Sequence, residues 1–242
     1  MQDRLIFYPQ RTGDARRTEI RGRFPAVQDL FVDAPDGTRL HAWFLKSGPD
    51  LVLYFGGNAE EVSWMIDAAA AQAPGVSWLL TDYRGYGASQ GSPSEKDLVS
   101  DALVWHRYAV HELHASKVFA LGRSLGGGVA VRLAARRPLA GVILVTPFDS
   151  LTAVAQRYYP YLPVKWLLRH RFDSLSLAPG IDVPMLCLIA GRDEVVPPVH
   201  AERLYQAWGG PKREVILAGA QHNDADAAPE FWPSIRRFLD VK

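Results

Sequence analysis

The sequence has little of three features: excess charge of one sign, cysteine, and long apolar runs. Lys and Arg total 27 against 26 Asp and Glu, a net charge of +1, so nucleic acid has no electrostatic case as a partner. The single cysteine, Cys187, cannot form an internal disulfide and is predicted to pack in the core. No apolar run approaches the roughly 18 residues of a membrane span, and no signal-peptide apolar region opens the chain. We therefore expect a soluble, cytoplasmic protein unless an N-terminal anchor or signal precedes these residues.

The length and the order of apolar segments predict the fold class. The 242 residues are 48% hydrophobic, enough for one sizeable core, so a single domain over residues 1–242 is expected. Two strands around Asp36-Gly37 favour an antiparallel opening pair. Strands and helices then alternate, which predicts an α/β fold with a doubly wound, mostly parallel sheet of about eight strands.

Three further stretches of the chain carry specific structural expectations. Residues 1–25 are basic and irregular, and their aromatic end at residues 5–9 is expected to pack on the body. A helix is predicted directly after Gly56-Gly57-Asn58, ending near Ala73. Residues 150–180 interrupt the pattern, and their prolines favour two short helices that form a small lid insert.

Gly122-Arg123-Ser124-Leu125-Gly126 has the G-x-S-x-G pattern of a nucleophile elbow. An apolar strand precedes it, and a segment of small apolar residues with helical character follows. In this context the sharp turn exposes the serine Oγ at the carboxyl edge of the sheet, close to a helix N-terminus that favours developing negative charge. Ser124 is therefore the predicted nucleophile.

The acid and the base are sought where later strands end, because ligands bind outside the carboxyl ends of the strands in such sheets. Asp193 follows one late strand and His222 follows the last, which gives the order Ser, Asp, His that is typical of hydrolases. Asp149, after the strand that follows the elbow, is the rival acid. The other six histidines lie in positions that favour surface or core roles.

An oxyanion hole needs two backbone N–H donors. Leu125, directly after the nucleophile, is predicted to supply one of them. The loop Gly56-Gly57-Asn58-Ala59 is predicted to supply the other, through Asn58 or, as the alternative, Gly57.

Together these motifs resemble the α/β-hydrolase superfamily, and within it a compact, small-lidded branch. That branch includes membrane-anchored serine hydrolases, among them protein depalmitoylases, and bacterial relatives. Gly56 stands where the branch usually has histidine, and Gln221 stands where it usually has glycine. Relatives often carry an N-terminal membrane anchor before the first matching stretch. The loop from Asp82 to Gly87 is typical of the branch, and we interpret Asp82 and Arg84 as bracing this loop near the elbow, with substrate contact as the alternative. The matching stretches cover nearly the whole chain in order: LIFYP, YFGGNAE, TDYRGYGASQGSPSE, LGRSLGGGVA, PFDSL to RFDSL, GRDEVVP and HND.

The predicted lid combines aromatic and basic residues. Tyr158, Tyr159 and Trp166 are candidates for an apolar wall that receives an acyl group. The bases beside them favour peripheral contact with a membrane surface or an anionic leaving group. An alternative is that the aromatic residues only pack the lid onto the core.

The sequence thus predicts a serine hydrolase that cleaves acyl esters or thioesters through an acyl-enzyme, with no metal or organic cofactor. An aminopeptidase is the alternative, and Glu194 is its candidate for holding the substrate amine. A non-catalytic binding protein on the same scaffold is a further alternative. Dinucleotide binding is excluded because Gly126-Gly127-Gly128 lacks the G-x-G-x-x-G pattern. The oligomeric state is left open.

Overall fold

The computed structural model describes residues 2–240, without the side chains of Arg4 and Leu5. Its strands form one sheet in the order β1-β2-β4-β3-β5-β6-β7-β8. Strand β2 runs antiparallel to both of its neighbours, and the remaining neighbours pair in parallel. The predicted α/β class, the eight strands and the antiparallel start are confirmed. The strands are β1 Val27–Asp33, β2 Arg39–Leu45, β3 Leu51–Phe55, β4 Ser77–Thr81, β5 Val118–Arg123, β6 Gly141–Val145, β7 Met185–Ala190 and β8 Lys212–Leu217.

The helices cover both faces of the sheet and divide the core into two apolar clusters. Alternating side chains of β3 show the division, since Leu53 lies in the cluster that contains Leu125 and Leu204, while Val52 lies in the cluster that contains Ile66 and Ile235. Central strands that helices cover on both faces consist of consecutive apolar residues, and such runs are easily recognised in the sequence. The α-helices are α1 Asp3–Ile6, α2 Asp14–Arg23, α3 Met65–Gln72, α4 Glu95–His111, α5 Leu125–Ala134, α6 Leu151–Tyr158, α7 Val164–Leu167, α8 Pro198–Ala207 and α9 Phe231–Leu239.

The N-terminal segment is more regular than predicted. Helix α2 occupies ten residues that were expected to be irregular, and α1 precedes it. The apolar periodicity is weak because Ile20 is the one buried side chain of α2. Ion pairs hold the helix instead: Arg17 pairs with Asp14 one turn away and with Asp29 on β1. The expected packing of the aromatic end is present, since Phe7 is buried against the rings of His170 and Phe172.

The segment after β3 also differs from the prediction. Residues 58–61 form a loop, and a 3₁₀ turn at Val62–Trp64 precedes α3. Helix α4, by contrast, begins at a side-chain cap, because the Ser94 hydroxyl accepts a hydrogen bond from the Asp97 N–H. Within residues 2–240, no helix combines the length and apolar character that a membrane crossing requires.

Candidate active site

Ser124 lies between β5 and α5 with a backbone that few residues other than glycine adopt. Its φ and ψ are 50° and −112°, and its N–H donates to the Val145 carbonyl at 2.9 Å. The flanking glycines permit the tight turn. A Cβ at Gly122 would lie 2.2 Å from the Gly126 carbonyl oxygen, and one at Gly126 would lie 2.0 Å from the Phe55 carbonyl oxygen. The sequence pattern therefore corresponds to a turn that strictly needs both glycines.

His222 connects Ser124 to Asp193 through its two ring nitrogens. The Nε2 atom is 2.9 Å from Ser124 Oγ, and Nδ1 is 2.7 Å from Asp193 Oδ2. His222 is 7% exposed and Asp193 is 6% exposed, so bulk water competes little for these bonds. A carboxylate can only accept, so Nδ1 carries the proton and Nε2 is left to accept the serine hydroxyl proton.

The loops that carry the acid and the histidine are fixed by local hydrogen bonds. The second oxygen of Asp193 accepts from the N–H groups of Val195 and Val196, at 2.9 and 2.7 Å. The Asp224 carboxylate accepts from the Gln221 N–H at 2.6 Å. The Gln221 side chain is exposed, so this departure from glycine leaves the His222 ring in place.

Asp149, the rival acid, lies in a separate cluster. Its carboxylate contacts His200 Nδ1 at 2.9 Å and accepts from the Ser150 N–H at 2.6 Å. The Arg203 guanidinium lies 3.5 Å from its other oxygen. The structure therefore brings Asp193, and not Asp149, to His222.

The two predicted oxyanion donors belong to two segments that adjoin Ser124. Leu125 is the first residue of α5, where an N–H has no partner within the helix. A Cβ at Gly57 would lie 3.8 Å from the Ser124 Cβ, so the glycine loop runs directly past the serine. The Gly57 N–H, however, donates to the Glu60 carboxylate at 2.5 Å, which removes it as an alternative donor. No hydrogen bond from the Asn58 N–H is found within residues 2–240, and Asn58 remains the candidate.

Glu60 holds this loop and was not identified from the sequence. One carboxylate oxygen accepts from the Gly57 N–H, and the other accepts from Tyr54 Oη at 2.5 Å and from Trp64 Nε1 at 2.9 Å. Burial, together with the charge of Glu60, raises the pKa of Tyr54 well above its usual value, so Tyr54 stays a neutral donor. A Cβ at Gly56 would lie 3.2 Å from this carboxylate. Gly56, the departure from histidine, therefore leaves the space that the Glu60 carboxylate uses.

The loop between Asp82 and Gly87 supports the oxyanion loop from the other side. Tyr83 Oη donates to the Gly56 carbonyl, and Tyr86 Oη donates to the Asn58 side chain, both at 2.8 Å. The Asn58 amide also donates to the Ile6 carbonyl at 2.5 Å. Arg84 forms a two-bond pair with Asp101 on α4, at 2.7 Å for each bond. The loop thus braces the site, as the structural interpretation of this motif predicts.

The three aromatic residues of the predicted substrate wall are exposed. Tyr158 is 51% exposed and Trp166 is 84% exposed, and Tyr159 is also exposed. The hydroxyl of Tyr158 donates to the carbonyl groups of Glu194 and Val195, next to Asp193. These three aromatic residues therefore form an exposed surface beside the acid loop and do not enclose an apolar pocket over Ser124.

Two further observations bear on what the site could bind. A cavity of about 780 Å³ lies between α4 and the start of β5, at the edge of the sheet opposite Ser124. Ser124, His222 and Asp193 do not line this cavity. Within residues 2–240, no group of three or more His, Cys, Asp or Glu side chains is arranged to hold a metal ion.

Comparisons with known proteins identify the family and the fold. Residues 49–179 match the family described as Hydrolase_4: Serine aminopeptidase, S33. An uncharacterized protein of Mycobacterium tuberculosis, Rv2307c, is 36% identical over 98% of this chain and 87% of its own length. The alpha/beta hydrolase domain-containing protein WAV2 of Arabidopsis thaliana is 29% identical over 99% of this chain and 87% of its own. The solved structure of the Pyrococcus furiosus esterase Pf2001 has a TM-score of 0.76 at 18% identity, covering 97% of this chain and 98% of that one. The chain therefore belongs to the Hydrolase_4 (serine aminopeptidase, S33) family and has the α/β-hydrolase fold.

Proposed function

We propose that this protein is a serine hydrolase that cleaves carboxylic acyl esters or thioesters through an acyl-enzyme intermediate. The observation that carries the proposal is the continuous hydrogen-bonded chain from Ser124 through His222 to Asp193, on a strained turn at the carboxyl edge of the sheet. Strain at a serine that also contacts a buried histidine is typical of a reactive site.

In this mechanism His222 Nε2 takes the proton from Ser124 as Oγ attacks the acyl carbonyl carbon. The resulting oxyanion accepts from the N–H groups of Leu125 and Asn58, and Asp193 stabilises the imidazolium. His222 then protonates the departing alcohol or thiol, which leaves Ser124 acylated. A water molecule, deprotonated by His222, attacks the acyl carbonyl and returns the free serine.

The carboxylates near the site favour an ester or thioester over a peptide with a free amino end. An aminopeptidase needs a carboxylate that accepts the substrate ammonium. Glu60 is the carboxylate that contacts the glycine loop beside Ser124, and three protein donors already occupy it. The Glu194 side chain is exposed. The resemblance of the motifs to the depalmitoylase-type branch supports thioesters as part of the substrate range.

A covalent probe tests the proposal directly. Exposure to a fluorophosphonate should add one adduct to Ser124, read by intact mass and peptide mapping, and the Ser124→Ala variant should remain unmodified. Well-folded protein without an adduct would contradict the proposed nucleophile. Hydrolysis of p-nitrophenyl acyl esters of graded length, compared with amino-acid p-nitroanilides, then distinguishes esterase from aminopeptidase. Faster turnover of the anilides would reject the ester assignment.

A further inference from the structure

Residues 157–171, here called the aromatic–basic face, expose an unusual density of large apolar side chains. Tyr161 is 97% exposed and Trp166 is 84% exposed, whereas the largest aromatic residues elsewhere, such as Trp43 and Trp78, are fully buried. Of the twelve exposed large hydrophobic side chains in the described part of the protein, six belong to this face. Such clustering marks an interaction surface, since singly scattered apolar residues are the norm. The six are Tyr158, Tyr159, Tyr161, Leu162, Trp166 and Leu167.

The same face carries four basic side chains that have no ion-pair partner among the described residues. Between Leu151 and Phe172 the sequence contains four Lys or Arg residues and no Asp or Glu. All four side chains are exposed, and none forms an ion pair with another described residue. The four are Arg157, Lys165, Arg169 and Arg171.

The aromatic–basic face is held in place and adjoins the proposed active site. Val164 and His170 are buried and anchor it from beneath, and His170 Nε2 contacts Asp3 at 2.6 Å. The Gln2 side chain bridges the Leu167 carbonyl and the Arg169 N–H, at 2.9 and 2.8 Å. At its other end the Tyr158 hydroxyl bonds the loop that carries Asp193. A surface that binds this face therefore lies beside the mouth of the site.

We propose that the aromatic–basic face docks on a lipid bilayer that contains anionic headgroups. Tyr and Trp rings prefer the boundary between headgroups and acyl chains, and unpaired Lys and Arg are attracted to anionic lipids. The face presents both kinds of side chain together, which matches a surface with negative charge directly above an apolar layer. The proposal concerns binding and does not require the proposed reaction.

Vesicle co-sedimentation of the full chain tests the docking. Ser124→Ala protein excludes any contribution from turnover, so a failed hydrolase assignment would leave this measurement intact. We expect binding to vesicles of phosphatidylcholine with phosphatidylserine, much weaker binding to phosphatidylcholine alone, and release at high salt. Arg157→Gln/Lys165→Gln should weaken binding about 25-fold, because each base near an anionic surface contributes about fivefold. Tyr161→Ser/Trp166→Ser should weaken binding to both vesicle types.

A matched control distinguishes an effect of bases on this face from an effect of the protein's net charge. Arg107 and Arg213 are exposed bases outside the face, and neither forms an ion pair with a described residue. Arg107→Gln/Arg213→Gln should bind as the parent protein does. Equal loss in the two double-charge variants would overturn the proposal, as would full binding by the aromatic variant or no binding to phosphatidylserine vesicles by folded protein. Circular dichroism and a thermal melt that match those of the parent protein would verify that Arg157→Gln/Lys165→Gln folds.

Discussion

Two aspartates follow neighbouring strands at the same edge of the sheet, and each one contacts a different histidine. Asp193, after β7, contacts His222 and receives two backbone N–H bonds, while Asp149, after β6, contacts His200. Sequence position alone left both as candidate acids, because the choice depends on which imidazole each loop reaches. The hydrogen bonds make the two sites separable by mutation.

Asp193→Asn should lower kcat/KM for p-nitrophenyl esters by about 10³ to 10⁴, since an amide no longer fixes the His222 tautomer or stabilises the imidazolium. Asp149→Asn should change kcat/KM only slightly, although it disturbs the Ser150 and His200 contacts. Circular dichroism and a thermal melt verify folding of both variants. A large kinetic loss in Asp149→Asn alone would transfer the acid role to that residue.

Glu60 holds the backbone of the proposed oxyanion loop through the Gly57 N–H, so its effect should be kinetic. Glu60→Ala should lower kcat by about 10- to 100-fold with little change in KM, because loss of one oxyanion donor costs about 10² to 10³ and here the donor is only displaced. Glu60→Gln keeps one acceptor oxygen and should give an intermediate value. Glu61→Ala is the matched control, since among residues 2–240 the Glu61 carboxylate accepts hydrogen bonds only from Ser63. Equal losses in Glu60→Ala and Glu61→Ala would refute the positioning role.

At the scale of elements, His41 joins the opening hairpin to the loop after β4. Its Nε2 is 2.9 Å from Asp29 on β1, and its Nδ1 is 2.5 Å from Asp82. Burial opposes a charge on His41, but the two carboxylates outweigh it and raise the pKa of His41 above its usual 6.5. Burial likewise acts to raise the pKa of Asp29, but the bonds from His41 and Arg17 hold that pKa below its usual 3.8. The network therefore favours the charged forms of both His41 and Asp29. It links β1, β2 and the loop after β4.

The pH dependence of stability follows from the raised pKa of His41 and the lowered pKa of Asp29. The stabilisation from a raised histidine pKa is complete below 6.5, the unfolded value, and disappears as pH rises through the higher folded pKa. The stabilisation from Asp29 is complete above 3.8 and disappears as pH falls through its lower folded pKa. His41→Gln should therefore lower the free energy of unfolding by about 3 kcal/mol at about pH 6, and by less at about pH 9. Urea denaturation measures both values.

His111→Gln is the control for that experiment, because His111 is exposed at the end of α4. Its free energy of unfolding should match the parent protein at both pH values. A His41→Gln penalty that is equal at both pH values would contradict a protonated His41 in the folded protein.

The elements that the sequence predicted well are those with strong local patterns. Helix α9 has a clear apolar face and α4 has a serine cap, and both are signals that the sequence carries locally. Helix α2 was missed because one buried residue gives no periodicity, and its stability comes from Asp29, which lies on a different element. The delayed start of α3 has a related cause: Glu60 and Glu61 use their carboxylates to hold loop N–H groups before the helix begins.

At the scale of the whole molecule, the sheet brings residues that are distant in the sequence to one site. The strand order places β3 beside β5 and β8 beside β7, so residues from four loops meet at a single edge. The sequence motifs predicted Ser124, Asp193 and His222 because each lies in the loop or turn that follows a strand. They did not predict Glu60, since a carboxylate that bonds its own loop has no distinctive spacing. The sequence also left open the exposure of Trp166, because that exposure depends on how α6 and α7 pack against the rest of the protein.

The bond between Tyr158 and the acid loop has a consequence for how this protein can diverge. The tyrosine hydroxyl contacts main-chain carbonyl groups at positions 194 and 195, and their side chains take no part in the bond. Both side chains are exposed. Selection, or a directed library, can therefore exchange the side chains at these two positions and reshape the approach to Ser124 while the link to the acid loop is kept.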